Sequence, residues 1–341
     1  MWLINTETYL LEDITNPQKG SYAILSHTWE DEEVSFQQYQ KTGARNLKGF
    51  KKIDMTIELA RKRGLKYAWI DTCCIDKSSS AELSEAINSM FKWYSEAAVC
   101  LAFLSDLSNA EIADLLSTPY MTPRTAQLAK FKQRDDHQKS YNELISRCRW
   151  FSRGWTLQEL IAPQIVEFYD DEWTLVGTKE TLLWTIHSIT RIPLNVLSNN
   201  VSFRKVPVAQ RMSWAADRST TRVEDIAYCL FGLLGVNLAP LYGEGENSFI
   251  RLQEELLRQS DDITLFAWTA VPKDDQPYRG ILARSPREFR NSHHIRRLEV
   301  PTYVGEFRMT NKGLRVNQSD LFRGMGKEWW VKRFGFRPII E

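Results

Sequence analysis

Apolar runs and amphipathic segments alternate along the first hundred residues, and this alternation limits the folds open to the chain. Short apolar runs at 22–26, 66–71 and 98–104 have the length of buried strands. Between them, residues 46–63 and 79–94 place apolar side chains three and four positions apart, as one face of a helix does. Strand, helix, strand, helix, strand in this order predicts a parallel sheet covered on both faces by helices, the doubly wound α/β class.

The later segments differ in character, and we divide the chain accordingly. We place the α/β domain at 1–178, with a mobile surface insertion near 117–137 where prolines and charges interrupt the periodicity. Helical patterns over 179–260 predict a helical extension packed on this domain. Short apolar runs and turn residues over 261–341 predict a small β-rich C-terminal region, of which 323–341 has no assignment.

The composition argues against several classes of protein. Apolar residues make up 43% of the 341, which is enough for a real core. Lys and Arg number 44 against 43 Asp and Glu, so the net charge of +1 favours neither a nucleic-acid nor a membrane partner. The N-terminus lacks the basic opening of a signal peptide. The five cysteines are an odd number, which favours reduced thiols over a set of disulfides. We therefore expect a cytoplasmic protein.

The first candidate site lies in the segment RGWTLQELIA, which the pattern predicts as a short helix capped by Ser152. Trp155 and Glu159 are four positions apart and share one helix face, so the carboxylate would be partly desolvated. Arg153 precedes them and could hold an anion. The structural alternative is a buried tryptophan with an exposed or salt-bridged glutamate.

A second candidate follows the first predicted strand, where Ser26, His27 and Trp29 lie close together. A third follows the next strand at Asp71. Ligands of open parallel sheets bind outside the carboxyl ends of strands, so these side chains could line one pocket. The alternative is that His27 anchors a loop and Asp71 caps loop amides.

Two sharper hypotheses concern Cys73 and Cys74, which follow Asp71. Either thiol could pair with His27 as a nucleophile, or the cluster could bind a metal. Adjacent cysteines without a second ligand cluster are not a zinc pattern, and we expect no metal. The Gly-rich segment 242–246 lacks the lysine and hydroxyl residue of a phosphate loop, so it predicts a tight turn before a helix.

Several multi-residue motifs together resemble the fungal heterokaryon incompatibility (HET) domain family over residues 1 to about 270. The motifs are YAILSHTW at 22–29, YAWIDTCCIDK at 67–77, AINSMFKWYSEA at 86–97, FSRGWTLQELIAP at 151–163, RMSWAADRSTTRVEDIAYCLFGLLGV at 211–236 and PLYGEGENSFIRLQEELL at 240–257. The resemblance implies a role in non-self recognition between fused fungal cells that ends in programmed cell death. It also implies self-association or an upstream activating protein as partner.

The HET domain is in turn similar to Toll/interleukin-1 receptor (TIR) domains. TIR domains are flavodoxin-like sheets, so the resemblance implies a flavodoxin/TIR-like parallel sheet with flanking helices. Some TIR domains hydrolyse NAD. In those enzymes the catalytic glutamate follows a tryptophan by four positions and precedes a leucine, which Trp155, Glu159 and Leu160 match. The resemblance therefore implies NAD as a substrate rather than a cofactor, with Glu159 as the catalytic residue. Trp155, Arg153, Ser26, His27, Trp29 and Asp71 would bind the substrate. The rival implication is a non-enzymatic TIR-like module that signals by self-association.

Overall fold

The chain is described here from a computed structural model. It covers residues 1–112, 140–271, 280–296, 308–310 and 313–315. The chain divides into two compact units, Met1–Val201 and Ser202–Glu341. The domain bounds expected at 178 and 260 stay predictions. The insertion expected near 117–137 and the unassigned residues 323–341 lie outside the described residues.

Seven strands of the first unit form one sheet. They are β1 (Trp2–Asn5), β2 (Leu11–Asp13), β3 (Tyr22–His27), β4 (Tyr67–Trp69), β5 (Val99–Phe103), β6 (Val166–Tyr169) and β7 (Leu175–Thr178). Their spatial order is β2-β1-β4-β3-β5-β6-β7. The four central strands β4, β3, β5 and β6 run parallel, whereas β1, β2 and β7 pair antiparallel at the edges. The α/β prediction is confirmed, but the sheet is mixed rather than wholly parallel.

The parallel strands follow the flavodoxin order. Across the sheet they lie in the order β4, β3, β5, β6. If β3 is counted as the first parallel strand along the chain, this order is 2-1-3-4. The connections from β3 therefore leave in opposite directions, to β4 on one side and to β5 on the other. This reversal makes the gap between the carboxyl ends of β3 and β5 the expected ligand position.

The helices of the two units are mostly short. Among the described residues, the helices of the first unit are α1 (Phe36–Tyr39), α2 (Phe50–Lys62), α3 (Ser80–Glu96), α4 (Thr156–Ile161), α5 (Leu183–Thr190) and α6 (Leu194–Leu197). In the second they are α7 (Val208–Ser213), α8 (Asp225–Tyr228), α9 (Phe231–Leu234) and α10 (Asn247–Gln259). No helix among the described residues combines the length and the apolar character that crossing a membrane requires.

Helices cover both faces of the central sheet. On one face α2 packs on β3 and β4. On the other, α3 is tied to β3 because the Tyr22 hydroxyl donates a hydrogen bond to the Trp93 carbonyl and the Tyr94 hydroxyl donates to the Leu25 carbonyl at 2.9 Å. Successive strand residues face opposite ways, so Ser26 points towards the α3 side and His27 towards the α2 side.

Local signals explain where the long helices begin and end. The Ser79 side chain accepts a hydrogen bond from the Glu82 amide at 3.3 Å, which caps α3. The Glu82 carboxylate accepts from the Asp76 amide and not from the Ser79 amide, so only half of a capping box forms. Gly64 follows α2 with φ +70°, a left-handed conformation that stops a helix.

One prediction of local structure is wrong. Ser152 does not cap α4; it ends a 3-10 helix (Arg149–Ser152), and α4 begins four residues later with Trp155 at its N-cap position. Within the segment 179–260, residues 225–234 form two short helices, because the Leu230 amide bonds three residues back to Ala227 and tightens the chain between α8 and α9.

The second unit holds α7 to α10, three 3-10 helices and a hairpin among its described residues. The 3-10 helices are Phe203–Lys205, Ile263–Phe266 and Pro286–His294. The hairpin pairs β8 (Arg308–Thr310) with β9 (Gly313–Arg315) in antiparallel register. In the region expected to be β-rich, the described residues thus contain two of these 3-10 helices and one short antiparallel pair.

Candidate active site

The candidate site lies at the carboxyl edge of the parallel strands. Ser26 and His27 end β3, Asp71 follows β4 by two residues, and Glu159 lies on α4, in the connection from β5 to β6. Glu159 is 7% exposed, and its carboxyl group accepts a hydrogen bond from the Ser26 hydroxyl. The structure therefore brings the first two sequence candidates together, which the sequence alone could only suggest.

Trp150 completes this contact from the preceding 3-10 helix. Its indole Nε1 donates to the Ser26 hydroxyl oxygen at 2.7 Å, and the side chain is fully buried. Ser26 is thus fixed as an acceptor from Trp150 and a donor to Glu159. Sequence analysis missed Trp150, although a tryptophan beside a site-forming motif is a signal, since a buried indole N–H usually finds an acceptor.

Burial dominates the electrostatics of Glu159. It raises the pKa of the carboxyl group to about 8, and the negative charge of Asp71 acts in the same direction. Hydrogen bonds with Ser26 and Tyr94 and the positive charge of Arg153 oppose the rise. At neutral pH most Glu159 carboxyl groups therefore carry a proton.

The hydrogen bonds of Tyr94 fit a protonated Glu159. Tyr94 donates its single hydroxyl proton to the Leu25 carbonyl at 2.9 Å. Its hydroxyl oxygen can still share a hydrogen bond with Glu159 if the acid supplies the proton. Trp150, Ser26, Glu159 and Tyr94 then form one directional chain of donors that ends on the backbone. Tyr94 was expected only as part of an apolar helix face.

Trp155 and Arg153 lie at the start of α4, and both are half-buried. Arg153 is near enough for its charge to lower the pKa of Glu159. The indole that donates a hydrogen bond to Ser26, however, is that of Trp150. The substrate-binding roles of Trp155 and Arg153 stay predictions.

His27 faces the opposite side of the sheet and has an unusual environment. Its side chain is 1% exposed, and neither ring nitrogen has a hydrogen-bond partner among the described residues. Nε2 lies 3.7 Å from Glu33 Oε2 and 3.9 Å from Asp71 Oδ1. Burial lowers the pKa of His27, while the two carboxylates oppose that effect, so the ring is neutral at pH 7.

Asp71 connects the two sides of the site. Asp71 Oδ2 accepts a hydrogen bond from Trp29 Nε1 at 2.9 Å and lies 3.9 Å from the Lys77 ammonium group. Lys77 Nζ also sits 3.7 Å from the centre of the Trp29 ring, a cation–π contact. Trp29 is 46% exposed, so it stands at the rim. Lys77 is a further residue that sequence analysis did not select.

The thiol alternative does not form. Cys73 and Cys74 are buried, and Cys73 Sγ contacts the Ile70 carbonyl at 3.9 Å rather than His27. Burial raises the pKa of Cys73 well above its ordinary value, which opposes the thiolate that a nucleophile requires. Within the described ranges, no group of three histidine, cysteine or acidic side chains is arranged to hold a metal ion.

The Gly-rich segment of the second unit is the tight turn that the sequence predicts. Gly243 and Gly245 have φ values of +105° and +59°. Both amides donate to Glu224 Oε1, at 2.8 and 3.1 Å. The amides that a phosphate loop would offer to an anion are thus taken by a carboxylate of the same chain.

The fold and the cluster around Glu159 together indicate a class of protein. A doubly wound sheet with flavodoxin strand order and a buried acid at the carboxyl edge of its central strands is typical of an α/β protein that binds a small molecule there.

Comparison with known proteins then gives the family. The model of the heterokaryon incompatibility protein (HET) family matches residues 22–159, which run from the start of β3 to Glu159. The vegetative incompatibility protein HET-E-1 of Podospora anserina is 41% identical over 248 residues. This chain is a heterokaryon incompatibility (HET) domain protein, as its motifs predict.

The relative is much longer than this chain. The matched region covers 72% of this chain and 17% of HET-E-1. Comparison with solved structures found no match.

Proposed function

We propose that this chain is a cell-death effector of heterokaryon incompatibility, and that its first unit hydrolyses NAD to nicotinamide and ADP-ribose. The family match and the similarity to a vegetative incompatibility protein support the biological role. The observation that carries the chemical role is the shielded carboxyl group of Glu159, bonded to Ser26 at the carboxyl edge of the central strands. The spacing of Trp155, Glu159 and Leu160 supports it further, because it matches that of TIR-domain NAD hydrolases.

The proposed mechanism assigns Glu159 to the ribose beside nicotinamide. As the glycosidic bond breaks, positive charge develops on this ribose and nicotinamide leaves as a neutral group. Protonated Glu159 can both donate to and accept from the ribose hydroxyls. The positive charge of bound substrate lowers the pKa of Glu159 and favours the carboxylate, which then stabilises the transition state electrostatically. No metal is required for these steps.

The remaining candidates would form the walls of the substrate pocket. Trp155 would exclude solvent, and Arg153 would hold the pyrophosphate, for which a guanidinium is well suited. Trp29 would line the rim, and Ser26 and His27 would lie beneath it at the end of β3. We propose self-association as one mode of action, since TIR-type sites are often completed by a second copy. An upstream activating protein is the other partner that we propose, and the cytoplasm is the proposed location.

A non-enzymatic signalling module is the second candidate function. Exposed apolar side chains favour it: Trp184 on α5 and Leu175 on the edge strand β7 are both open to solvent. Such side chains are candidates for contacts between copies. Because Glu159 is buried, it would be a structural residue in this alternative and not part of an interface.

Glu159→Gln separates the two functions. The amide is neutral and close in shape to the protonated acid, so folding and self-association should persist. Purified protein is incubated with NAD and nicotinamide release is followed, in parallel with a cell-killing assay. We expect loss of both turnover and killing in Glu159→Gln. The matched control is Glu58→Gln on the exposed side of α2, which should retain both.

A Glu159→Gln variant that kills cells as well as the wild type, with no nicotinamide released by either protein, would refute the enzymatic role. In that case the self-association function remains. Measuring the oligomeric state of both proteins shows whether killing follows assembly instead of turnover.

A further inference from the structure

Polar atoms of three side chains converge on the α2 side of the sheet without hydrogen-bond partners among the described residues. His27 Nε2 lies 3.7 Å from Glu33 Oε2 and 3.9 Å from Asp71 Oδ1, which is beyond hydrogen-bond distance from both. The second ring nitrogen of His27, Nδ1, also has no partner among these residues. Because the ring is buried and buried polar groups are normally hydrogen-bonded, the arrangement favours a polar ligand at this position.

The other oxygen of each carboxylate is already bound. Glu33 Oε1 accepts a hydrogen bond from the Lys52 ammonium group. Asp71 Oδ2 accepts a hydrogen bond from the Trp29 indole at 2.9 Å and lies 3.9 Å from the Lys77 ammonium group. The side chains of Glu33 and Asp71 are 14% and 21% exposed, so a ligand can reach them from solvent. Each carboxylate therefore has a lysine beside one oxygen and leaves its second oxygen to another donor.

Helix α2 holds the loop after β3 in place. The buried Lys52 of α2 donates to the Thr28 carbonyl at 3.2 Å as well as to Glu33, and its ammonium group lies 3.2 Å from Glu30 Oε2. The loop is thus tied to α2 at three points. A carboxylate that is already fixed loses little conformational freedom when it binds a ligand, which lowers the cost of binding.

The unpartnered atoms limit the chemistry of the ligand. Carboxylate oxygens only accept hydrogen bonds, so the ligand must donate to both Glu33 and Asp71. An anion would meet two negatively charged groups without a donor, and a cation would be repelled by Lys52 and Lys77. Neutral hydroxyl groups satisfy these conditions. One hydroxyl can donate to each oxygen, and a hydroxyl can either donate to or accept from a ring nitrogen of His27.

The position of these atoms relates them to the pocket around Glu159. Ser26 and His27 are consecutive residues of β3, and their side chains point to opposite faces of the sheet. Dinucleotides lie across the carboxyl edge of doubly wound sheets, where an acidic side chain commonly binds ribose hydroxyls. A dinucleotide has two riboses joined by a pyrophosphate, so it can place one on each side of the end of β3.

We propose that His27, Glu33 and Asp71 form a ribose site that binds the 2′- and 3′-hydroxyls of the adenosine half of a dinucleotide. Glu33 Oε2 and Asp71 Oδ1 accept from the two hydroxyls, and His27 Nε2 bonds to them from below. The half-exposed Trp29, fixed by its hydrogen bond to Asp71, offers an aromatic surface at the rim. The identity of the ligand rests on the proposed NAD hydrolysis, whereas binding of the hydroxyl pair can be measured without turnover.

The test compares the binding of ADP and 2′,3′-dideoxy-ADP to the full chain by isothermal titration calorimetry. Both compounds carry adenine and pyrophosphate, and only ADP has the hydroxyl pair. We expect ADP to bind about 10-fold more tightly or better, because the dideoxy compound leaves the acceptors of the site unpaired. ADP lacks the ribose that is proposed to bind at Glu159, so Glu159→Gln should bind ADP as the wild type does.

Asp71→Asn tests whether the preference for ADP depends on Asp71. The amide oxygen of asparagine can still accept from Trp29, while an NH2 group takes the place of Oδ1. This variant should lose most of the preference for ADP. The matched control is Asp76→Asn on the same loop, since the contacts of Asp76 with Gln37 and Ser78 need only an acceptor oxygen. It should retain the preference.

Glu33→Gln makes the same test on the other loop. Its amide oxygen can still accept from Lys52, while an NH2 group takes the place of Oε2. We expect this variant to lose most of the preference as well. The neighbouring Glu32→Gln is its control, because Glu32 is exposed and pairs with the exposed Lys48. Thermal unfolding of all four variants checks that each is folded.

Three results would overturn the ribose site. The first is a wild type that does not bind ADP, and the second is a wild type that binds both compounds with equal affinity. The third is a preference for ADP that persists in both Asp71→Asn and Glu33→Gln. In each case the atoms around His27 bind solvent only.

The ribose site and the proposed hydrolysis can fail separately. Nicotinamide release that requires Glu159, together with equal affinities for ADP and its dideoxy analogue, would refute the ribose site and leave the proposed function standing. Binding that depends on the hydroxyl pair, on Asp71 and on Glu33, in a protein that releases no nicotinamide, would support the site and refute the hydrolysis.

Discussion

The stability of Glu159→Gln as a function of pH tests the electrostatics of the site independently of any activity. In the folded chain the pKa of Glu159 is raised from 4.5 to about 8. The unfolded chain therefore releases this proton first as pH rises, and the folded state loses stability between these two values. Each unit of pKa difference corresponds to about 1.4 kcal/mol. The free energy of unfolding of the wild type should therefore be lowered by Glu159 by roughly 3–4 kcal/mol more at pH 8 than at pH 5.

Glutamine carries no proton to release, so the variant lacks this slope. We expect Glu159→Gln to have a similar free energy of unfolding to the wild type at pH 5 and to exceed it by roughly 3–4 kcal/mol at pH 8. Urea unfolding across this pH range measures the difference, in which effects of all other groups cancel. Glu58→Gln on the surface should run parallel to the wild type. If the free energy of unfolding of Glu159→Gln also changes with pH in parallel with that of the wild type, Glu159 is ionised in the folded chain and the reasoning is refuted.

Three further changes test other parts of the structure. Trp150→Phe removes the donor to Ser26, so it should lower the free energy of unfolding by about 1 kcal/mol and reduce nicotinamide release in the same preparation. Lys179 is buried near the C-terminal end of α4 and donates a hydrogen bond to the Pro163 carbonyl. Burial lowers the pKa of its ammonium group to about 8. The wild type should therefore gain roughly 3 kcal/mol of stability as pH rises from 8 to 10.5, and Lys179→Met should lack this gain in urea unfolding. Ser79→Ala should lower the melting temperature by removing the cap of α3, a loss of about 1 kcal/mol, whereas Ser95→Ala at the other end of the helix should have a smaller effect.

Sequence reasoning predicted the central strands well because their signals are local. The apolar runs at 22–26 and 98–104 became Tyr22–His27 and Val99–Phe103. The strands β1 and β2 escaped notice because they have only four and three residues, too few for a periodic pattern to show. Their antiparallel pairing depends on contacts with β4 and with each other, which periodicity does not encode.

The candidate site shows the same limit. Glu159 and Ser26 could each be selected from motifs, but their hydrogen bond joins residues 133 positions apart. The contact of Trp150 with Ser26 depends on how the 3-10 helix meets the sheet, so the nearer motif residue Trp155 was selected instead. The same holds for Lys77, whose contact with Trp29 requires the loops after β3 and β4 to meet.

The sequence by itself determined the α/β class, the family and the approximate positions of the polar residues that end the strands. These properties depend on hydrophobic period and on motifs, which are local along the chain. Only the tertiary structure decided that Glu159 is enclosed, that Ser26 and Trp150 hold it, and that Asp71 adds its charge to the effect of burial. The physical reason is that proton affinity depends on the dielectric surroundings and on charges across space, and folding brings those together from distant parts of the chain.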